Sequence, residues 1–209
     1  MNRMLKLYYM PGACPLVPHV ALEWAKADYT IQLVKREELK SPDFLAKNPQ
    51  GSVPLLEDGD WRLAQNVAIV EYINTLYPDA HLFGQGSLKE QAKARQWLAL
   101  ANTDLHGSFG ILFKLPFLAD SEEAKEKIST VMIGRIKSIY AQVEKAVSAN
   151  DYLCGNTITI GDVYFYVISR WAVALKVDLS EFAHLGAYFK RVENNAGVQK
   201  ALKDQGLLG

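Results

Sequence analysis

Cys14 closes the stretch Met10-Pro-Gly-Ala-Cys14, between an apolar run that ends at Tyr9 and a helical pattern that begins at Pro15. The residues from Leu5 to Tyr9 suit a short buried strand, and Pro11-Gly12 is strong turn punctuation. Leu16, Val20 and Trp24 then recur every four positions, which predicts an amphipathic helix from Pro15 to Ala27. Pro15 fits the first helical turn, where a missing N–H leaves nothing unpaired. Cys14 is therefore expected at a helix N-terminus, where unpaired N–H groups and the positive end of the dipole favour an anion. A thiol there ionises below its free pKa of about 8.5; at about 6.5 it would be roughly three-quarters thiolate at neutral pH. The competing reading is a small buried hydrophobe. Taken alone, the cysteine leaves both open.

A second motif bears on the choice. In Asn48-Pro-Gln-Gly-Ser-Val-Pro54-Leu-Leu-Glu-Asp-Gly59, the first four residues make a turn, Pro54 to Leu56 reads as a strand, and Asp58-Gly59 signals a hairpin. Proline cannot donate to a sheet ladder, so Pro54 at a strand start needs a reason, and a cis Val53–Pro54 bond is one. Trp61 to Ala64 is another short strand. Gln65-Asn66 then opens a helix from Val67 to Tyr77, and this second helix start could hold a carboxylate.

His106 is the third residue of chemical interest. It shares a helix face with Asn102, four positions earlier. An imidazole near a sulfur can favour the thiolate or hydrogen-bond it; the plainer reading is a surface or structurally satisfied histidine. His19, beside Pro18, is assigned a structural role, and His81 and His184 have no chemical partner identifiable in the sequence.

The elements that must position these groups fall into two sets. Strand and helix signals alternate over residues 1–80. Tyr77-Pro-Asp-Ala-His-Leu-Phe-Gly-Gln-Gly-Ser87 then has the composition of a linker. From Ser87-Leu-Lys-Glu90, a capping box, to residue 209 the pattern is entirely helical. Asp120-Ser-Glu-Glu starts a long helix running towards Ser148. Thr159-Ile-Gly-Asp162 caps another whose body, Val163 to Ala174, is apolar nearly all round and belongs inside a bundle.

Composition narrows the function classes. The 209 residues carry 23 basic and 23 acidic side chains, so no long-range field favours nucleic acid or an anionic membrane. No run approaches the roughly 18 apolar residues of a membrane span, and the first residues lead straight into a strand with no signal-peptide pattern. Cys14 and Cys154 have no metal-like spacing and form no disulfide framework, so no metal is expected and a reducing cytoplasm is the simplest location. Cys154 reads as buried and inert.

Cys14, Asn48-Pro-Gln-Gly-Ser-Val-Pro54 and Gln65-Asn66, in this order and spacing, resemble the cytosolic glutathione transferases, in particular the bacterial beta class. Val67-Ala-Ile-Val-Glu-Tyr-Ile and Thr157-Ile-Thr-Ile-Gly-Asp162 are similar to that family's following helix and to the cap of its central helix. The likeness covers nearly the whole chain. It implies an α/β thioredoxin-like N-terminal domain, a helical C-terminal domain over 87–209 and a homodimer. It also implies a cis Val53–Pro54 bond. Glutathione, as co-substrate, would be held by Tyr9, Val53, Pro54, Gln65 and Asn66, with its sulfur beside Cys14. His106 matches a histidine that faces the cysteine across the domain cleft, and as a histidinium it would hold a thiolate. Met10, His106, Phe109, Phe113 and Trp171 are expected to line the side where a small apolar electrophile enters.

The chain also departs from the family pattern. Gly107 stands where lysine is usual, Ala99 where asparagine is common and Asn66 where serine is commoner; Lys40 is only a weak candidate for a glutathione contact. Three activities follow from the resemblance. One is conjugation of glutathione to electrophiles, as in detoxification, with thiol-transfer or peroxidase side activity. Another is thiol–disulfide exchange through a Cys14 mixed disulfide. The third is a non-catalytic binding module of the same fold.

Overall fold

The computed structural model describes residues 4–208. The chain forms two compact units, one made of residues up to Leu82 together with those from Glu193 onward, the other of Phe83–Val192.

The first unit is built on a four-stranded mixed sheet of order β2-β1-β3-β4. Its strands are β1 (Leu5–Tyr9), β2 (Tyr29–Leu33), β3 (Leu55–Asp58) and β4 (Trp61–Ala64). β1 runs parallel to β2, with Leu7 opposite Ile31, and antiparallel to β3, with Leu7 opposite Leu56. Burial on both faces explains why β1 reads as a nearly continuous apolar run: Leu5, Leu7, Tyr8 and Tyr9 are all buried. Helices α1 (Leu16–Trp24), α2 (Pro42–Leu45) and α3 (Asn66–Leu76) complete the α/β part.

Seven consecutive residues of α1, Leu16 to Leu22, are buried, so this helix is covered on every side. Part of that cover comes from α9 (Ala196–Asp204), which buries Val198, Ala201 and Leu202. The two units divide after Leu82, and the segment after Glu193, expected with the helical domain, groups with the first unit. The reason is local. Asn195 Oδ1 caps α9 through Gly197 N (3.0 Å) and also accepts from Trp24 Nε1 at 2.9 Å. A Cβ at Gly197 would lie 2.5 Å from Trp24 Cδ1. Gly197→Ala is therefore expected to lower stability by about 1–3 kcal/mol, read as a fall in Tm. An unchanged Tm would mean that Trp24 can swing aside at no cost.

His19 lies at the centre of this junction, fully buried. Its Nε2 is 3.0 Å from the Tyr29 hydroxyl, which itself donates to Glu23, and its Nδ1 is 3.1 Å from Gln205 Nε2. The Tyr29 hydroxyl hydrogen points to Glu23, so its oxygen accepts from Nε2–H, and Nδ1 accepts from the Gln205 amide. His19 is a neutral, fully bonded imidazole, as the structural role assigned to it requires.

The second unit consists of α4 (Leu88–Leu100), α5 (His106–Leu118), α6 (Glu122–Val147), α7 (Ile160–Ala174) and α8 (Leu185–Glu193). A π-helical turn over Ala101–Leu105 joins α4 to α5 without a break. As its pattern indicates, α7 is the central helix, buried from Ile160 through Ile168. It lies tightly against α4, since a Cβ at Gly161 would sit 3.3 Å from both Ala94 O and Trp97 Cβ. The fold is that of a thioredoxin-like α/β unit plus a helical unit. Among the described residues no helix is long and apolar enough to cross a membrane.

Candidate active site

In the first unit, the two sequence motifs come together at Cys14. The turn Met10–Pro15 carries it to the start of α1, and its Sγ lies 3.8 Å from the carbonyl oxygen of Val53, towards which the thiol donates. The Val53–Pro54 bond is cis, as the resemblance implies. The loop before it is held by three contacts. Asn48 Nδ2 donates to Ser52 O (2.6 Å), Asn48 Oδ1 accepts from Gln50 N (3.2 Å), and Lys40 Nζ donates to Gln50 O (3.0 Å). Gly51, at φ +57°, leaves no room for a side chain between Lys40 and Leu39 O. Lys40 thus binds this loop, a role different from the glutathione contact considered for it.

Gln65 and Asn66 stand at the start of α3. Gln65 is exposed and holds φ +77°, a conformation that strains any residue other than glycine and that clusters at functional sites. Its Nε2 donates to Gln50 Oε1 at 2.9 Å, tying the two loops. No side chain caps α3, so its first N–H groups and its dipole suit a carboxylate. Asn66 is buried, and a hydrogen bond from its side chain acts on Cys14.

The thiol itself differs from the expectation. Cys14 is buried, and desolvation pushes its pKa up to about 11, against the weaker downward pull of Asn66 and of the backbone. The sequence pattern places the thiol at a helix N-terminus, where an anion is favoured, and keeps a buried hydrophobe as the competing reading. In fact α1 begins at Leu16, and Cys14 sits in the preceding turn, enclosed by protein. At pH 7 a group with that pKa is about 0.01% thiolate. Cys14 is a thiol that donates a hydrogen bond.

The tyrosines of β1 divide. Tyr8 donates to Glu57 Oε2 at 2.9 Å and packs on Val34, Phe44 and Leu55, and burial followed by Glu57 raises its pKa. It is a packing residue. Tyr9 is also buried, at the strand end, where its carbonyl oxygen accepts from Val34 N.

In the second unit, His106 is the first residue of α5, immediately after the π-helical turn, and its N–H bonds Ala101 O. Its Nδ1 is 2.9 Å from the Tyr164 hydroxyl, which donates to Asn102 Oδ1 at 2.8 Å. The face shared by Asn102 and His106 thus has a purpose visible only in three dimensions, because Tyr164 comes from α7. Burial, aided by Lys114, lowers the pKa of His106 below the ordinary imidazole value. That direction favours a neutral ring over the expected histidinium. The aromatic residues picked out from the sequence do gather, with Trp171 lying edge-on to His106 (5.0 Å between centroids), Phe113 (5.5 Å) and Phe109 (6.3 Å). Phe109 is fully buried, whereas Phe113 is 44% exposed. Ala99 and Gly107, the two departures on this helix, both face solvent. Cys154 is half-buried, with burial raising its pKa to about 11, which suits an inert residue.

Known proteins resemble this chain in sequence and in fold. Residues 3–75 match the family model of the glutathione S-transferase N-terminal domain, and residues 108–196 that of the C-terminal domain. A glutathione S-transferase of Xanthomonas campestris is 36% identical over 97% of this chain and 100% of its own length. The solved glutathione S-transferase of Xylella fastidiosa superposes with a TM-score of 0.90 at 36% identity, covering 98% of this chain and all of that one. A bacterial beta-class enzyme from Sphingomonas chungbukensis gives a TM-score of 0.83 at 30% identity, over 97% of this chain and all of that one. With both domains matched and relatives alike over their whole length, the chain belongs to the glutathione S-transferase family.

Proposed function

We propose that this glutathione transferase conjugates its co-substrate, glutathione, to small apolar electrophiles, and that Cys14 serves as a hydrogen-bond donor to the glutathione sulfur. The observation that carries this reading is the buried Cys14 thiol, with Sγ directed towards the Val53 carbonyl oxygen 3.8 Å away. Glutathione would lie along the first unit, with its cysteinyl backbone on Val53 ahead of Pro54, a one-residue strand addition. Its γ-glutamyl carboxylate would take the N–H groups of α3 beside Gln65 and Asn66. Tyr9, at the strand end, would contribute surface near the sulfur. A thiol donor stabilises an adjacent thiolate as oxyanion-hole donors stabilise an alkoxide, by a preorganised dipole in a dry site. His106 would serve as the base for the sulfur proton, and the aromatic group around Trp171 would receive the electrophile.

The redox alternative requires Cys14 itself to attack, and a thiol with so small a thiolate fraction is a slow nucleophile. Cys14→Ala is therefore expected to retain conjugation of a chloronitrobenzene to glutathione within about tenfold of wild type, the scale of one lost donor. In the same terms, iodoacetamide should label native Cys14 more than 100-fold more slowly at pH 7 than it labels a free thiol. Loss of conjugation by more than a thousandfold, or rapid labelling at neutral pH, would favour the redox reading. Free Cys14 and Cys154 suit a reducing cytoplasm. A homodimer, proposed from the family likeness, is tested by sedimentation equilibrium.

A further inference from the structure

The helix from Leu88 to Leu118 would be a plain α-helix but for the five residues Ala101–Leu105. A π-helical turn inserts one extra residue, which rotates everything after it by about 100° relative to an uninterrupted α-helix. Such turns are poorly bonded and persist mostly where their geometry is used. Here the rotation affects His106, the first residue beyond the turn. Asn102, inside the turn, and His106 both reach one hydroxyl, that of Tyr164, at 2.8 and 2.9 Å.

That hydroxyl is informative because it has one proton. Tyr164 gives it to Asn102 Oδ1, so towards His106 the phenolic oxygen can only accept. The ring nitrogen facing it must then carry the hydrogen, and in a neutral imidazole the lone pair is left on Nε2. Tyr164 is fully buried, and Trp171 stands edge-on to the imidazole at 5.0 Å, so the ring is restrained by packing as well as by the bond.

We propose that Tyr164, oriented by Asn102, is a positioning residue that holds His106 as the Nδ1–H tautomer and leaves Nε2 as the proton acceptor for the glutathione thiol. The inference rests on the transferase reading above for its chemistry, but its geometry lies wholly within the second unit. The step balances as follows. The sulfur proton passes to Nε2, the sulfur electron pair forms the new S–C bond, and the leaving group departs with the electrons of the bond it breaks. The imidazolium then returns its proton to water. Throughout, Nδ1–H stays on the Tyr164 oxygen, so the ring need not flip between turnovers.

Tyr164→Phe keeps the ring and removes only the hydroxyl. Two measurements on the intact protein test the proposal. The imidazole 15N shifts of His106, assigned by their loss in His106→Gln, report which nitrogen carries the hydrogen at neutral pH. Steady-state conjugation of a chloronitrobenzene reports kcat and KM separately. In the wild type the shifts should show the Nδ1–H form. In Tyr164→Phe they should move to a mixture of tautomers, and kcat should fall about tenfold with KM for the electrophile unchanged, a fraction of the 10²–10⁴ that a general base supplies. An Nε2–H form in the wild type, unchanged shifts in the variant, or a tautomer mixture with wild-type kcat would each overturn the proposal. His106→Gln with wild-type kcat would instead overturn the role of His106 in the reaction.

Discussion

Asp162→Ala is expected to destabilise the protein by about 4 kcal/mol, enough to drop the helical unit out of its folded state at modest denaturant concentrations. The carboxylate lies at the start of α7, fully buried, and takes four donors. Oδ1 accepts from Leu153 N (2.9 Å) and the Tyr188 hydroxyl (3.0 Å), and Oδ2 accepts from Thr159 N and Thr159 Oγ1, both at 2.8 Å. Burial still outweighs these bonds and raises the carboxyl above its usual range. Truncation to alanine removes a helix cap, worth about 1 kcal/mol, and leaves buried donors of the 153–159 segment and of α8 without an acceptor, each costing about 1–3 kcal/mol. Asp162→Asn keeps the shape but turns an amide NH₂ towards donors, so it should fall between wild type and alanine. Urea unfolding followed by tryptophan fluorescence measures both. A loss below about 1 kcal/mol for alanine would show that water or a rearranged loop replaces the carboxylate.

Acidification should destabilise the other unit through His19. Burial depresses its folded pKa to about 4, against the nearby Asp204 and Glu23 carboxylates, whereas an unfolded histidine titrates near 6.5. A base whose folded pKa is lowered contributes stability that is fully present above about 6.5 and is lost as the pH falls through about 4. The difference corresponds to about 3 kcal/mol across that window. The physical event is that a protonated Nδ1 would confront the Gln205 amide with a second donor, breaking a contact that holds α9 to α1. Unfolding free energies at pH 7.5, 5.5 and 4.5 should therefore fall in wild type and fall by less in His19→Gln. Parallel curves would assign the acid sensitivity to carboxylates.

Much of this arrangement is legible in the sequence because it is encoded locally. The strand before Cys14, the Asn48–Pro54 turn, the Gln65-Asn66 helix start and the Thr159–Asp162 cap are each written in residues within a few positions of one another. What the sequence conceals is non-local. β2 has a mixed burial pattern and few punctuating residues, so only its pairing with β1 defines it. The ionisation of Cys14 depends on how much protein surrounds the sulfur, and no spacing rule gives that. Tyr164 is 58 positions from His106 and reads as one more apolar residue of a buried helix. The π-helical turn has no glycine or proline to announce it. His184 shows no partner in its own neighbourhood, yet its Nδ1 lies 2.6 Å from Glu144 Oε1, on a helix 40 residues earlier.

The return of the segment after Glu193 to the first unit sets an order of events during synthesis. The helical unit is one uninterrupted stretch from Phe83 to Val192, whereas the α/β unit is split around it. As the polypeptide leaves the ribosome, α1 emerges before the helical unit, but Val198, Ala201, Leu202 and Gln205, on the segment that packs against it, follow only after that whole unit has been translated. At roughly 5–20 residues per second, the interval is on the order of ten seconds or more. For that time the nascent chain carries an α1 surface without its cover, and the unit encoded first is the one completed last.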